Sequence, residues 1–244
     1  MATEHPAERR APRRHPLQVA IGALGDLLFT LGVLLALLVV HSLWWTNLTA
    51  DRHADLSAAR LRQSWSAPAP AAPPTDAAPP PFGPGDAVGF LHAPALGAGY
   101  QVLIKVGTDG ETLADGVAGA YTAPYHSAMP WEASGNFALA AHRDGHGARF
   151  HDLDRLRPGD PLVVETRDHW YVYHVDATLP ETAKDDIGVI APVPVGSPYD
   201  GPGRYITLTT CTPVYTSLYR MAVWGSLVRE EPTDPDRTPP AELR

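Results

Sequence analysis

Cysteine is nearly absent from this sequence of 244 residues, which contains Cys211 as its single thiol. A lone cysteine cannot form an internal disulfide, and it cannot build a zinc site from thiolates alone. Cys211 is therefore either a small buried hydrophobic side chain or a reactive nucleophile. Residue spacing alone leaves both interpretations open.

Positive charge is also scarce, because 19 Lys and Arg stand against 27 Asp and Glu, for a net charge of −8. This balance argues against a nucleic-acid partner, which would require a basic face. The sequence also lacks a G-x-S-x-G elbow and a phosphate-binding loop. His142 and His146 could share a metal only on a helix, and Gly145 and Gly147 disfavour a helix there. We therefore expect neither a metal nor another cofactor.

Charge is absent from most of one segment near the N-terminus. Residues 19–45 include only Asp26 and His41 as ionisable side chains, and they follow a basic tail, residues 1–18, with four arginines. An apolar segment of about 20–25 residues can cross a bilayer, so residues 19–45 predict a transmembrane helix. The arginines before it place the N-terminus in the cytoplasm and the rest of the chain outside. A cleaved signal peptide is the alternative, but this run exceeds the usual apolar region of about 7–15 residues.

Two further segments lack the composition of a folded core. Residues 46–85 predict a short polar stalk followed by a Pro- and Ala-rich spacer, which would hold the next domain away from the membrane. Residues 231–244 predict a disordered acidic tail. The folded domain is then residues 86–230.

Helix signals are few in this domain, whereas short β-rich runs are frequent. Such runs, separated by turn residues, predict an all-β sandwich or barrel. The seven runs cover residues 88–94, 100–106, 137–142, 161–166, 171–179, 205–211 and 219–228.

Cys211 stands at the end of the alternating run 205–211, directly before a threonine and a proline that cannot continue a central strand. Arg220 opens the next run, so antiparallel pairing of the two runs would make Arg220 and Cys211 neighbours. An arginine nearby favours the nucleophilic thiolate, and its N–H groups can stabilise a developing oxyanion. His142 follows the apolar strand FALAA and also lies at a strand end, where it could act as general acid and base.

Three separated motifs resemble those of the sortase family. Residues 207–211 (TLTTC) followed by Arg220 are similar to its T-L-x-T-C…R signature, and residues 135–143 (GNFALAAHR) are similar to its histidine-bearing strand. Residues 150–160 resemble its F-x-x-L-x-x-L-x-x-G-D stretch. The resemblance covers essentially all of residues 86–230, and the apolar segment with its W-W-T sequence is similar to that of class E sortases.

The resemblance implies an eight-stranded sortase β-barrel and a membrane-anchored cysteine transpeptidase. Cys211 would attack the threonine carbonyl of a C-terminal sorting signal, expected to be LAXTG-like, and cleave it between Thr and Gly. An amine of a peptidoglycan precursor would then resolve the acyl-enzyme. His142 would be the general acid and base, Arg220 would hold the substrate or the oxyanion, and Thr210 and Thr209 would bind substrate. The implied partners are surface proteins with sorting signals, the peptidoglycan precursor and the membrane.

The sequence departs from the family pattern at two places. Ala141 stands before the histidine where the family has glycine, and residues 116–121 (GVAGAY) replace the usual G-P-G-H-Y. Three alternatives stay open at this point. They are a class D-type sortase with another signal, a cysteine hydrolase whose acyl-enzyme goes to water, and a non-catalytic peptide-binding envelope module.

Overall fold

The structure is a computed structural model that describes residues 16–66 and 82–244. Most of the predicted basic tail lies outside the described residues, and so does the greater part of the predicted spacer, residues 67–81. The chain divides into two compact units after Trp45.

Strands dominate the second unit, as the sequence predicts. Their bounds are β1 Ala87–His92, β2 Gln101–Val106, β3 Ala118–Ala120, β4 Gly135–Ala140, β5 Pro161–Glu165, β6 His169–Ala183, β7 Arg204–Thr212 and β8 Tyr219–Pro232. These eight strands of the described chain close into a barrel in the order β1-β2-β3-β4-β7-β8-β6-β5. The neighbours β2–β3 and β4–β7 are parallel, and the other pairs are antiparallel.

The eight-stranded barrel expected from the sequence is thus confirmed. The seven predicted runs correspond to seven of its strands, with ends that differ by a few residues. β3 is the strand that the sequence did not predict, because Ala-Gly-Ala carries no β-branched or aromatic side chain.

Helices occupy little of the barrel unit. The long helix α1 covers Pro16–Ser66, and the short helix α2 covers Gly110–Ala114. Asp109 caps α2 by accepting hydrogen bonds from the first backbone N–H groups of that helix. Single 3-10 turns lie at Pro94–Leu96, Leu153–Arg155, Ile187–Ile190 and Ala241–Leu243.

The barrel interior is filled by side chains from alternate strand positions. Phe137 of β4 and Leu208 of β7 belong to this core, and so do Phe150, Leu153 and Leu156 from the connection after β4. Each such side chain stabilises the fold by about 1.5–3 kcal/mol relative to an exposed one. This packing holds the ends of β4 and β7, the two strands that lead into the candidate site.

The first unit contains the apolar part of α1. Every residue from 20 to 41 whose burial is described there is exposed, although most of these side chains are hydrophobic. A helix that is apolar on all sides suits a lipid environment rather than a polar solvent. By length and composition, this helix could cross a membrane, as the sequence predicts.

Residues 46–66 of α1 belong to the barrel unit and differ from the expected polar stalk. Ala50 and Ala54 are buried, and Leu61 and Trp65 pack against a cluster that includes Phe90. Spacings of four, seven and four residues put these side chains on one face of the helix. The small alanines allow a close approach to the barrel, because a side chain at position 116 would meet Ala50 at 3.2 Å.

The C-terminal segment corrects the prediction of a disordered acidic tail at residues 231–244. β8 continues into this segment, which ends in a 3-10 turn on the barrel surface. Glu242 accepts two hydrogen bonds from Arg229, at 2.7 and 2.6 Å, and Leu243 packs against the cluster that contains Trp170. The sequence suggested solvated charges because it does not show which basic side chain they meet.

Glu165 at the end of β5 joins three parts of the barrel unit. Its side chain is 2% exposed and accepts two hydrogen bonds from Arg62 of α1, each at 3.1 Å. Arg237 of the C-terminal segment donates to it at 2.9 Å, and His92 of β1 lies at 3.0 Å. The guanidinium of Arg237 also lies over the ring of Trp65, 4.3 Å from its centroid. We call Glu165, Arg62, Arg237 and His92 the Glu165 cluster.

Candidate active site

Cys211 and Arg220 lie directly opposite each other on β7 and β8. The antiparallel register pairs these two residues, as the sequence predicts. Cys211 is partly exposed and free, at the penultimate position of β7. A thiol at this place is accessible from the end of the barrel. The interpretation of Cys211 as an inert, buried side chain therefore does not fit the structure.

The guanidinium of Arg220 has only backbone partners in the described parts of the chain. It donates to the carbonyl oxygen of Tyr219 at 2.9 Å and to that of Ser217 at 3.4 Å. No carboxylate among residues 16–66 and 82–244 pairs with it. Its fixed positive charge and remaining N–H groups are therefore available to a ligand.

His142 reaches the same end of the barrel along the other neighbour of β7. In the parallel register, Ala140 is level with Thr209, and the N–H of Ala141 donates to the carbonyl of Thr209 at 3.3 Å. Continuing this offset for two residues brings His142 level with Cys211. β7 thus carries the thiol between the histidine on one side and the arginine on the other.

The imidazole of His142 is partly buried and stacks on His146, with ring centroids 5.0 Å apart. Burial lowers the pKa of His142 below its ordinary value, and the charge of His146 lowers it further. A lowered pKa favours the neutral imidazole at neutral pH. Neutral imidazole can accept a proton from a thiol or an amine.

The loop after His142 is closed at its base and unusual in its backbone. The N–H of Phe150 donates to the carbonyl of His142 at 3.0 Å. Four consecutive residues of this loop have positive φ, of which two are not glycine. The left-handed conformation costs a residue with a side chain about 1–2 kcal/mol, so contacts around the loop must hold it. These residues are Gly145 (64°), His146 (47°), Gly147 (78°) and Ala148 (42°).

Arg143 is a buried charge directly behind the site. Its side chain is 5% exposed and donates to the hydroxyl of Thr212 at 3.0 Å and to the carbonyl of His151 at 3.2 Å. It also pairs with Asp154 at 2.9 Å. Arg143 therefore ties the end of the histidine strand to the end of the cysteine strand. The sequence pointed to it only as part of the resembling motif, since an arginine is by default a solvated residue.

Thr209 and Thr210 use their hydroxyl groups within the barrel. Both side chains are 3% exposed. The hydroxyl of Thr210 donates to the carbonyl of Ala141 at 2.8 Å, and that of Thr209 donates to the carbonyl of Leu139 at 3.2 Å. In this structure they brace β4 against β7, and their predicted contact with substrate stays a prediction. Ala141, which stands where the family has glycine, is buried, and its carbonyl accepts the hydrogen bond from Thr210.

Tyr121 is a site residue that the reasoning from sequence missed. It follows β3, and its hydroxyl lies 2.9 Å from that of Thr209. Burial raises the pKa of Tyr121, the hydrogen bond with Thr209 opposes this, and so does the charge of Arg220. The signal was present, because Tyr121 is the tyrosine that ends the segment compared with G-P-G-H-Y.

The arrangement at this end of the barrel suits acyl transfer through a thioester. It combines an accessible thiol, an unneutralised arginine and a histidine whose neutral form is favoured. Within the described ranges, no three His, Cys, Asp or Glu side chains come close enough to hold a metal ion. The geometry therefore defines the class of enzymes that use cysteine as a nucleophile.

Comparison with known proteins identifies the family. Residues 91–228 match the Sortase domain family. The chain is 51% identical to Sortase SrtE2 of Streptomyces coelicolor over 242 residues, which cover 97% of this chain and 92% of that protein. It is 42% identical to Sortase SrtE1 of the same organism, over 93% of this chain and 63% of that protein. The chain belongs to the sortase family and is a cysteine transpeptidase.

Solved structures agree with this assignment and with class E. The crystal structure of Sortase E1 from Streptomyces coelicolor, with a tripeptide in its active site, superimposes with a TM-score of 0.62 at 43% identity. It covers 67% of this chain and 100% of that chain. Sortase E from Streptomyces avermitilis gives a TM-score of 0.59 at 35% identity, again over 67% of this chain and 100% of that one.

Proposed function

We propose that this sortase cleaves a LAXTG-like sorting signal between Thr and Gly. It then joins the substrate protein, through the carbonyl of that threonine, to an amine of a peptidoglycan precursor. The observation that carries the proposal is the meeting of Cys211, His142 and Arg220 at one barrel end. The similarity to class E sortases, one of them solved with a tripeptide in its active site, supports the substrate class.

The first half-reaction uses all three residues. His142 takes the proton of the Cys211 thiol, the sulfur attacks the threonine carbonyl, and Arg220 donates hydrogen bonds to the oxyanion that forms on the carbonyl oxygen. The C–N bond to glycine then breaks. His142 gives a proton to the leaving amine, and the threonine carbonyl carbon stays on Cys211 as a thioester.

The second half-reaction runs in the opposite direction with a new amine. The incoming amine attacks the thioester carbonyl, and His142 accepts the proton that this amine loses. The C–S bond breaks, a new amide bond forms, and His142 returns the proton to the Cys211 sulfur, which regenerates the thiol and the neutral imidazole. Water in place of the amine would give hydrolysis, so the rate of amine capture decides between transferase and hydrolase.

Three neighbouring residues support these steps in this proposal. Thr210 and Thr209 brace the two site strands through their hydroxyl groups and so shape the side of β7 on which the substrate would bind. Tyr121 borders the substrate site from the end of β3. It lies beside Thr209 because β3 pairs antiparallel with β4, the strand that also leads to His142.

Membrane anchoring completes the proposal. The apolar segment of α1 would span the bilayer with the N-terminus in the cytoplasm and the barrel outside. Its exposed hydrophobic side chains at residues 20–41 support an anchor, and the preceding arginines support this orientation.

The proposal is tested with the full chain in detergent micelles, a LAXTG peptide and an amine acceptor. We expect a ligated product cut between Thr and Gly, and no product from Cys211→Ala, because that variant cannot form the thioester. The products are identified by mass spectrometry. Hydrolysis alone, even at high acceptor concentration, would contradict the transferase. Binding of the peptide by the wild type without any turnover would favour the non-catalytic envelope module.

A further inference from the structure

Two side chains of α1 reach the loop that follows His142. The side-chain oxygen of Asn47 accepts a hydrogen bond from the N–H of Gly147 at 3.0 Å. Asp51 accepts one from the guanidinium of Arg149 at 2.7 Å. Asn47 and Asp51 are four residues apart, so they lie on one face of the helix, one turn from each other. Both contacts belong to the barrel unit of the chain.

This loop has few internal bonds to keep its left-handed residues in place. A backbone bond from Ala148 N–H to the carbonyl of Gly145 spans the turn. The N–H of Gly147 points to α1, where Asn47 is its partner. A β-carbon at position 147 would stand 3.4 Å from the carboxylate of Asp51, so the helix also packs closely on the turn.

Arg149 fixes the far side of the same loop. Besides Asp51, its guanidinium donates to the carbonyl of Gly116 at 2.7 Å. Its own carbonyl accepts a hydrogen bond from the hydroxyl of Tyr100. Arg149 thus connects the helix, the segment before β3 and the loop, and its guanidinium is held at both ends.

The loop in turn contacts the histidine of the site. His146 directly precedes Gly147, the position that Asn47 anchors, and stacks on the ring of His142. The backbone bond from Phe150 to the carbonyl of His142 closes the loop on the other side. A displacement of residues 145–149 would therefore move or release the ring against which His142 rests.

We propose that Asn47 and Asp51 of α1 are positioning residues, which hold the loop 143–149 and through His146 fix the orientation of the His142 imidazole. The segment 46–66 is then part of the catalytic unit rather than a stalk. The expected effect on turnover rests on the proposed function, whereas the effect on the histidine rings does not.

The helix offers a matched control at its other end. Arg62, which lies four turns along the helix from Asn47, binds Glu165. Within the described chain its side chain contacts Glu165, Trp65 and Phe90 rather than the loop. Loss of Arg62 removes a docking contact of the same helix without touching residues 143–149. Comparing the Arg62 variant with a variant of Asn47 and Asp51 therefore distinguishes an effect of loop position from an effect of weaker attachment of the helix to the barrel.

The experiment uses the full chain in micelles and compares wild type, Asn47→Ala with Asp51→Asn, and Arg62→Ala. We expect the double variant to lose about tenfold in kcat with KM changed less than about twofold, since a small misplacement of a catalytic group is costly. Arg62→Ala should lower the thermal midpoint but keep kcat within about twofold of wild type. An unchanged kcat in the double variant, or an equal loss in Arg62→Ala, would overturn the proposal.

A second measurement does not depend on the substrate. In protein with labelled histidines, the ring NMR signals of His142 and His146, assigned with His→Gln variants, should shift in the double variant and stay in place in Arg62→Ala. Unshifted signals in the double variant would refute the positioning role. If the wild type cleaves no sorting peptide, the proposed function fails, and the ring signals still decide this inference.

Discussion

The Glu165 cluster and the Cys211 site both contain charged side chains at strand ends, but they differ in whether those charges are paired with a charge of opposite sign. Glu165 is almost fully buried and receives hydrogen bonds from two arginines and a histidine. Arg220 is partly exposed and bonds only to backbone carbonyls within the described chain. The paired charges of the Glu165 cluster hold parts of the fold together. The charge of Arg220, which has no carboxylate partner in the described chain, can instead interact with a ligand.

The same contrast holds for proton affinity. Burial by itself raises the pKa of Glu165, but the hydrogen bonds from His92, Arg62 and Arg237 outweigh it and lower this pKa to about 2. At His142, burial lowers the pKa, and the charge of the neighbouring His146 lowers it further. The Glu165 cluster therefore favours the charged form of its carboxyl group, and the site favours the neutral form of its imidazole.

The largest effect is expected from Glu165→Ala. The change removes the common acceptor of Arg62, Arg237 and His92. Hydrogen bonds to a charged group contribute about 1.5–3 kcal/mol each, so we expect a cost of about 3–5 kcal/mol. For a unit of this size, the thermal midpoint should fall by on the order of 10 °C. Calorimetry or circular dichroism measures the midpoint, and turnover per folded molecule below it should stay near the wild-type value.

The acid stability of the wild type checks the same cluster without a mutation. Because the pKa of folded Glu165 is about 2 and the ordinary value is 4.5, the unfolded state binds the proton first. The stabilisation is complete above about pH 4.5 and is lost as the pH falls through about 2. Glu165→Ala should lack this part of the acid dependence. An identical acid profile in both proteins would contradict the assignment.

Arg220→Ala is expected to act on rate and not on stability. Loss of an oxyanion donor lowers kcat by on the order of 10²-fold, which is about 2.7 kcal/mol. The thermal midpoint should change little, since Arg220 is partly exposed and its side chain bonds, within the described chain, only to the backbone carbonyls of Ser217 and Tyr219. Arg220→Lys is the matched control, because it keeps the charge and loses the planar fork. Near-normal turnover in Arg220→Ala would assign the arginine to the solvated surface.

The smallest shift that we predict is in the pKa of His142 when His146 is replaced by alanine. This change removes one of the two causes that lower the pKa of His142, so the pKa of His142 should rise toward its ordinary value. An NMR titration of the His142 ring measures the shift, and the direction is the test. A midpoint that stays unchanged or falls would show that His146 does not act on His142 through its charge.

Much of the fold and site followed from local sequence patterns. Alternating residues predicted seven of the eight strands, and the strand-end positions of Cys211, His142 and Arg220 predicted the site before any contact was known. The alternation of apolar and polar residues and the placement of turn residues depend only on near neighbours in the chain, so both can be recognised from the sequence alone. β3 was missed for the same reason, because its three small residues carry no local signal.

The remaining features depend on partners that are distant in sequence. Arg143 reads as a surface arginine until its buried contacts with Thr212 and Asp154 are known. The segment 46–66 reads as a stalk, and the acidic C-terminus reads as a disordered tail, until Arg62 and Arg237 meet at Glu165. Such pairings are made across 72 and 103 residues of chain.

The sequence by itself determined the all-β class, the apolar helix and Cys211 as the candidate nucleophile, because hydrophobic periodicity and a lone strand-end cysteine are local properties. The closed barrel and the catalytic role of Cys211 were expected only from the resemblance to sortases. Only the tertiary structure decided which charges are neutralised and which are left open. It set Arg220 beside the thiol without a carboxylate, and it brought Asn47 and Asp51 against the loop of His142. The physical reason is that electrostatic and hydrogen-bond energies depend on distance in space rather than along the chain.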